Sequence, residues 1–136
     1  MEIARIESFS RAEGTQIGLA YEARWRLEDD RLDVQVVGGQ RRTIELEGAD
    51  FFDLFASPFF NSLPVVRDRL LDGGSPHEYV MRFVSLPELD VVRSEQRYEP
   101  LGDRVVRYSS GSFVADIAFD VDGFVTGYEG LLERIS

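Results

Sequence analysis

The chain has no cysteine, no lysine and a single histidine, His77. Each absence removes a class of chemistry. Without cysteine there is no disulfide, no thiolate nucleophile and no thiolate metal site. A zinc centre needs several His or Cys ligands, and they do not exist here. A Ser-His-Asp triad would have to use His77, and no G-x-S-x-G elbow accompanies it. His77 follows Pro76 beside a turn and is expected to be a solvated loop residue. No phosphate-cradling glycine loop follows a strand. Asp120-Val121-Asp122-Gly123 is too short for an EF-hand and reads as a hairpin turn. No stretch approaches the roughly eighteen apolar residues of a membrane-spanning helix. Met1–Ser10 carries Glu2 and Glu7 and lacks the apolar core of a signal peptide, so a cytoplasmic location is expected. No metal and no cofactor is expected.

What is present is acid. Twenty-five Asp and Glu stand against fifteen basic residues, all arginine, for a net charge of −10. Such a chain repels phosphate backbones, so no nucleic-acid partner is expected. The same balance disfavours anionic membrane surfaces. Lysine-free, carboxylate-rich composition fits either concentrated salt or GC-rich coding. At about 1 M salt the screening length falls to about 3 Å and self-repulsion fades. The 136 residues, 43% hydrophobic and 12% aromatic, suit one globular domain spanning 1–136.

Gly48–Gly74 is the one segment with helical character. Ser57 can cap a helix and Pro58 suits its first position. Phe59, Leu63, Val66 and Leu70 then fall on one face, widened by Phe60 and Leu71. Gly73-Gly74 supplies a stop. Pro64 removes an N–H and crowds the Phe60 carbonyl. A kink near Phe60–Leu63, or a restart capped by Ser62, is expected. Asn61 lies at that break, where its amide would satisfy freed backbone groups.

The rest alternates with period two. Gln16–Leu27 is the cleanest case, with Ile17, Leu19, Tyr21, Ala23, Trp25 and Leu27 on one face. Met1–Phe9, Arg31–Val37, Arg41–Glu47, Glu78–Val84, Leu89–Tyr98, Arg104–Ser109, Ser112–Asp120 and Phe124–Tyr128 also read as strands. Arg11–Thr15 reads as a polar turn. Glu28-Asp29-Asp30, Gly38-Gly39, Pro100–Asp103 and Asp122-Gly123 are further turn signals. The fold class expected is all-β with one main helix within Ser57–Leu71: a highly curved antiparallel sheet wrapped around a single α-helix.

Ser57-Pro58-Phe59-Phe60-Asn61-Ser62-Leu63-Pro64-Val65-Val66-Arg67 resembles the S/T-P-x-x-N-x-L-P-hydrophobic-x-R signature of the putative glycolipid-binding family, once a domain of unknown function. Leu86-Pro87-Glu88-Leu89, Gln96-Arg97-Tyr98, Arg107-Tyr108 and Phe113 occur in that family's order. Asp120–Leu131 is similar to its D-x-x-G-L/F-V-x-x-Y-P-G-L ending. The likeness runs from Tyr21 to the C-terminus. Glu129 stands where the family has Pro, and Asp68 where a second basic residue is common. The chain is also shorter than typical members on its N-terminal side. The resemblance implies a spiral β-roll and glycolipid binding.

Phe51, Phe52, Phe55, Phe59 and Phe60 occur close together, and further aromatics are spread over the strands. One reading is plain core. The other is an apolar cavity with a few placed polar groups. On that reading the ligand-binding candidates are Phe55, Phe59, Phe60, Trp25 and Tyr98, with Asn61 and Arg67 at a rim. Arg67 offers a fork for phosphate or carboxylate, or a salt bridge to a local Asp. The leading function is non-enzymatic binding of an apolar or amphipathic ligand, a lipid or glycolipid, between helix and sheet. The alternative is a protein-interaction or homodimerisation module using the same phenylalanines. A carboxylate-dependent hydrolase is a distant third. Both monomer and homodimer stay open.

Overall fold

The structure is a computed structural model that describes residues 1–129. The first half is an antiparallel meander of five strands: β1 (Glu2–Ser8), β2 (Arg11–Ile17), β3 (Glu22–Glu28), β4 (Arg31–Val36) and β5 (Arg41–Glu45). There follow β6 (Phe51–Leu54), helix α1 (Pro58–Arg67) and a 3-10 turn at Leu70–Asp72. Strands β7 (His77–Val84), β8 (Val91–Gly102), β9 (Val105–Ser110), β10 (Phe113–Phe119) and β11 (Val125–Glu129) complete a six-stranded sheet in the order β11-β10-β9-β8-β7-β6. The strands curl into a half-barrel, and the fold is all-β with one helix. One pair departs from the antiparallel rule: β6 runs parallel to β7.

Gln16–Leu27 is not one strand. It is the end of β2, a turn and all but the last residue of β3, closed by the Gly18 N–H donating to the Tyr21 carbonyl at 2.9 Å. Arg11–Thr15, expected as a turn, is therefore strand. Ala23, Trp25 and Leu27 do face inward, but Ile17 and Leu19 are exposed and Gln16 is buried. The four-residue turn reverses parity: Gln16 pairs with Ala23 and Ile17 with Glu22, so the odd positions that face inward in β3 face outward in β2, which the unbroken alternation of the sequence hid. Gly14 is required for a local reason: a Cβ there would stand 2.5 Å from the Trp25 ring.

Phe51–Leu54 is likewise strand, not the start of a helical segment. Phe52 and Leu54 join the core under the five-stranded sheet, while Phe51 packs against both cores. The helix runs unbroken from Pro58 to Arg67 with Pro64 inside it. Neither a restart at Ser62 nor a second cap occurs.

Ser57 is the N-cap residue, but its hydroxyl makes no capping bond. The cap comes from β1. Glu2 accepts the Phe59 N–H at 3.2 Å, the Ser57 hydroxyl, and the Trp25 indole N–H at 3.2 Å. A carboxylate at a helix N-terminus satisfies orphan donors and meets the positive end of the dipole. Burial nonetheless raises the Glu2 pKa, because desolvation outweighs these bonds.

The helix is a wedge between two cores. Phe59, Phe60 and Leu63 pack with Trp25, Leu27, Leu32, Val34 and Ile44 of the five-stranded sheet. Val65, followed by Leu70, packs with Tyr79, Met81, Tyr98, Val106 and Ile117 of the six-stranded sheet.

Candidate functional site

Two features stand where the helix meets the sheets. The first is a groove of about 460 Å³ between the second half of α1 and the five-stranded sheet. Its apolar wall is Phe9, Leu27, Leu46, Phe51, Phe52, Leu63 and Val66; its polar rim is Ser10, Asp29, Asp50 and Arg67. Leu63 and Val66 reach it because helical spacing puts positions three apart on one side. Phe51 reaches it from the edge of the six-stranded sheet.

Arg67 closes the rim. Its guanidinium lies over the Phe51 ring, 4.4 Å from the centroid, and 5.8 Å from that of Tyr79. It also donates to both carboxylate oxygens of Asp68 at 3.0 Å. That hydrogen bonding raises the Arg67 pKa and lowers the Asp68 pKa. Tyr79 donates to the same carboxylate at 2.6 Å. The Tyr79 hydroxyl is pushed above its ordinary value, first by desolvation and then by this bond. Arg67 is thus held over a ring, yet half-exposed. Its Nε and one terminal nitrogen are committed to Asp68, which leaves the other terminal nitrogen as the donor at the mouth.

The second feature is a buried polar chain on the inner face of the six-stranded sheet. Gln96 donates to Asp53 at 2.7 Å, Tyr98 donates to Gln96 at 3.4 Å, and Asn61 donates to the Tyr98 hydroxyl at 3.2 Å. Asp53 is 8% exposed. Desolvation lifts its pKa to about 6 despite the Gln96 bond. The β8–β9 register sets Tyr98 opposite Tyr108, and burial, with the Asp53 charge second, raises the Tyr108 pKa. A row of rings crosses the sheet beside this chain: Phe51, Tyr79, Tyr98, Tyr108 and Phe113, each centroid 5.4 to 5.9 Å from the next.

The expected site residues therefore fall into separate places. Trp25, Phe59 and Phe60 come together, with centroids 5.0 to 5.2 Å apart. They do so inside the core, Phe59 at 4% and Phe60 at 1% exposure. Neither lines the groove; they seal the helix to the sheet. Asn61 and Tyr98 pair on the opposite side of the helix, the Asn61 amide donating to the Tyr98 phenol at 3.2 Å. Phe55 stands apart and 45% exposed, its carbonyl accepting from Gln16 at 2.6 Å. Arg67 alone of the seven lines the groove. His77 opens β7 half-buried and stacked on Tyr79 at 6.1 Å, not in a solvated loop.

Phe9, Leu27, Leu46 and Phe51 are not among the ligand-binding candidates read from the sequence. Phe9 and Leu46 lie at strand ends on separate hairpins, and no local periodicity links them. Among the described residues no group of three or more His, Asp or Glu could hold a metal ion. No helix among them is long and apolar enough to cross a membrane.

Comparison with known proteins adds the following. A match to the family described as "Putative glycolipid-binding" spans residues 4–134. A crystal structure of a DUF1089 family protein from Pseudomonas aeruginosa superposes with a TM-score of 0.71 at 23% identity, covering 96% of this chain and 89% of that one. At that identity the likeness shows the fold. No curated protein matches the sequence. The Gly130-Leu131 end of the signature lies outside the described residues.

Proposed function

The chain belongs to the putative glycolipid-binding family, and from that premise we propose that it binds an amphipathic lipid or glycolipid without chemically altering it. The apolar part occupies the groove between α1 and the five-stranded sheet, and the headgroup meets Arg67. The observation that carries this reading is the groove itself. Its volume of about 460 Å³ falls within the range of small-molecule sites, and apolar walls with one oriented cation match their usual make-up. Binding rather than catalysis is supported by the surroundings. His77 stacks on a tyrosine, and the near-neutral carboxylate of Asp53 is bonded to an amide.

The test uses native mass spectrometry of protein purified from cells, together with uptake of a fluorescent fatty-acid analogue. Leu46→Trp fills the groove from its half-buried wall and should abolish uptake. Arg67→Ala removes a half-exposed rim group; it should weaken uptake several-fold and leave Tm nearly unchanged. A wild-type protein that carries no ligand and takes up no probe refutes the proposal. So does a Leu46→Trp variant that binds as well as wild type.

A further inference from the structure

The turn between β10 and β11 closes one side of the groove. It carries Gly123 and Phe124 to two residues that line it, Val66 and Phe9. The Phe124 ring packs on Phe9 with centroids 5.4 Å apart. Phe9 is held from its other side by Phe59, at 6.2 Å. Gly123 is buried against the helix. A Cβ there would stand 2.5 Å from the Val66 Cγ2, and the residue has a φ of +91°. Glycine is required on both counts. Phe9 reaches the groove from the β1–β2 turn and Val66 from α1, so the turn fills the gap between those elements. Val66 and Arg67 project about 100° apart on the helix. Arg67 lies over Phe51 of β6, so this closed side is not the side of the cation.

The turn is fastened to itself. Asp120 Oδ1 accepts the Asp122 N–H at 2.9 Å and the Phe124 N–H at 3.0 Å. The Asp120 N–H donates to the Phe124 carbonyl at 2.8 Å, and the Gly123 N–H to the Asp120 carbonyl at 3.1 Å. An aspartate that bonds the backbone of its own turn locks it. The tip is a fixed stop, not a flap.

We infer that Phe9 with Phe124, and Val66 with Gly123, form an end wall that sets the length of hydrocarbon chain the groove takes. The ligand class is a single-chain amphiphile rather than a two-chain lipid. This rests on the ligand-binding reading of the groove. A methylene fills about the room of one water, about 30 Å³, so the groove of about 460 Å³ holds about fifteen carbons. That is one chain of membrane length and not two. Each methylene that finds room raises affinity about fourfold, and one that meets the wall adds nothing. Phe9 and Val66 touch the chain; Phe124 and Gly123 are positioning residues that hold them in place.

The test is competition. Saturated fatty acids from octanoate to stearate displace the fluorescent fatty-acid analogue. Wild-type affinity should rise with length and level off at about fifteen carbons. Native mass spectrometry should show one palmitate per chain. Phe124→Ala removes the ring behind Phe9 and should move the plateau to longer chains. The ratio of stearate to palmitate affinity, near one in wild type, should then rise about fourfold or more. Gly123→Ala drives a methyl onto Val66, whose branched side chain is stiff, and should move the plateau to shorter chains. Val66→Phe fills the same end without altering the turn, and serves if Gly123→Ala does not fold. In it the ratio of palmitate to dodecanoate affinity should fall roughly tenfold. Loss of fold quality alone would weaken every chain length alike. A plateau unmoved by Phe124→Ala and Val66→Phe therefore overturns the proposal while the groove still binds. Two palmitates, both lost in Leu46→Trp, overturn it as well. Uptake of no chain at all fails the groove reading and takes this inference with it.

Discussion

Asp53→Asn is the perturbation that most directly tests the account of the buried chain. Asp53 has its pKa raised from 3.8 to about 6 by burial. A raised carboxyl pKa means that the folded protein holds its proton more tightly than the unfolded chain does. Between the two values the native state binds more protons, so stability falls as pH rises through this window. The cost is absent below about pH 4 and complete above about pH 6 or 7. Two units correspond to about 3 kcal/mol. Asparagine removes the charge and keeps an oxygen that can accept the Gln96 amide. Its extra N–H₂ has no carboxylate-matched acceptor, a pH-independent penalty of about 1–3 kcal/mol.

The difference between variant and wild type should therefore change with pH by about 3 kcal/mol, whatever its absolute level. Urea denaturation at about pH 4 and about pH 8 measures it. At the lower pH, Asp53→Asn should be equal to or less stable than wild type; at the higher pH it should gain. Glu2 also has a raised pKa, but it titrates in both proteins and cancels. A stability difference that is flat with pH refutes the reasoning, because Asp53 would then be solvated or compensated by a charge.

Two further outcomes are expected. Glu2→Ala strips the acceptor from Ser57, Phe59 and Trp25 and should cost about 2–3 kcal/mol, read as a lower urea midpoint. Glu2→Gln, which keeps an acceptor oxygen, should recover part of that loss. Gly14→Ala forces a Cβ to 2.5 Å from Trp25; an overpacked core loses about 1–3 kcal/mol, measurable as a lower Tm with altered tryptophan fluorescence.

The helix and most strands were legible because their signals are local. Pro58, the apolar spacing from Phe59, and the period-two runs act over a few residues, and the half-barrel bears them out. Phe51–Leu54 was misread because four residues suffice for neither period. Its strand state is set by β7, some thirty residues away. Pro64 was expected to kink the helix near Phe60–Leu63 or to restart it at Ser62; no restart occurs. The helix stays continuous because packing on both sides of α1 outweighs one missing hydrogen bond.

The site was legible only in part. Arg67 was recognisable as a cation on a helix rim, but its hold on Phe51 and Asp68 needed the fold. Phe59 and Phe60 carried the right chemistry for a cavity and serve instead as core, since sequence shows hydrophobicity and not which side is filled. Composition determined what the protein lacks: thiol chemistry, multi-histidine metal sites and a membrane-spanning helix within the described residues. Tertiary structure decided where its charges and apolar side chains gather. Net charge and hydrophobic fraction are sums over the chain, whereas a groove, a buried carboxylate or an end wall exists only once residues distant in sequence share a neighbourhood.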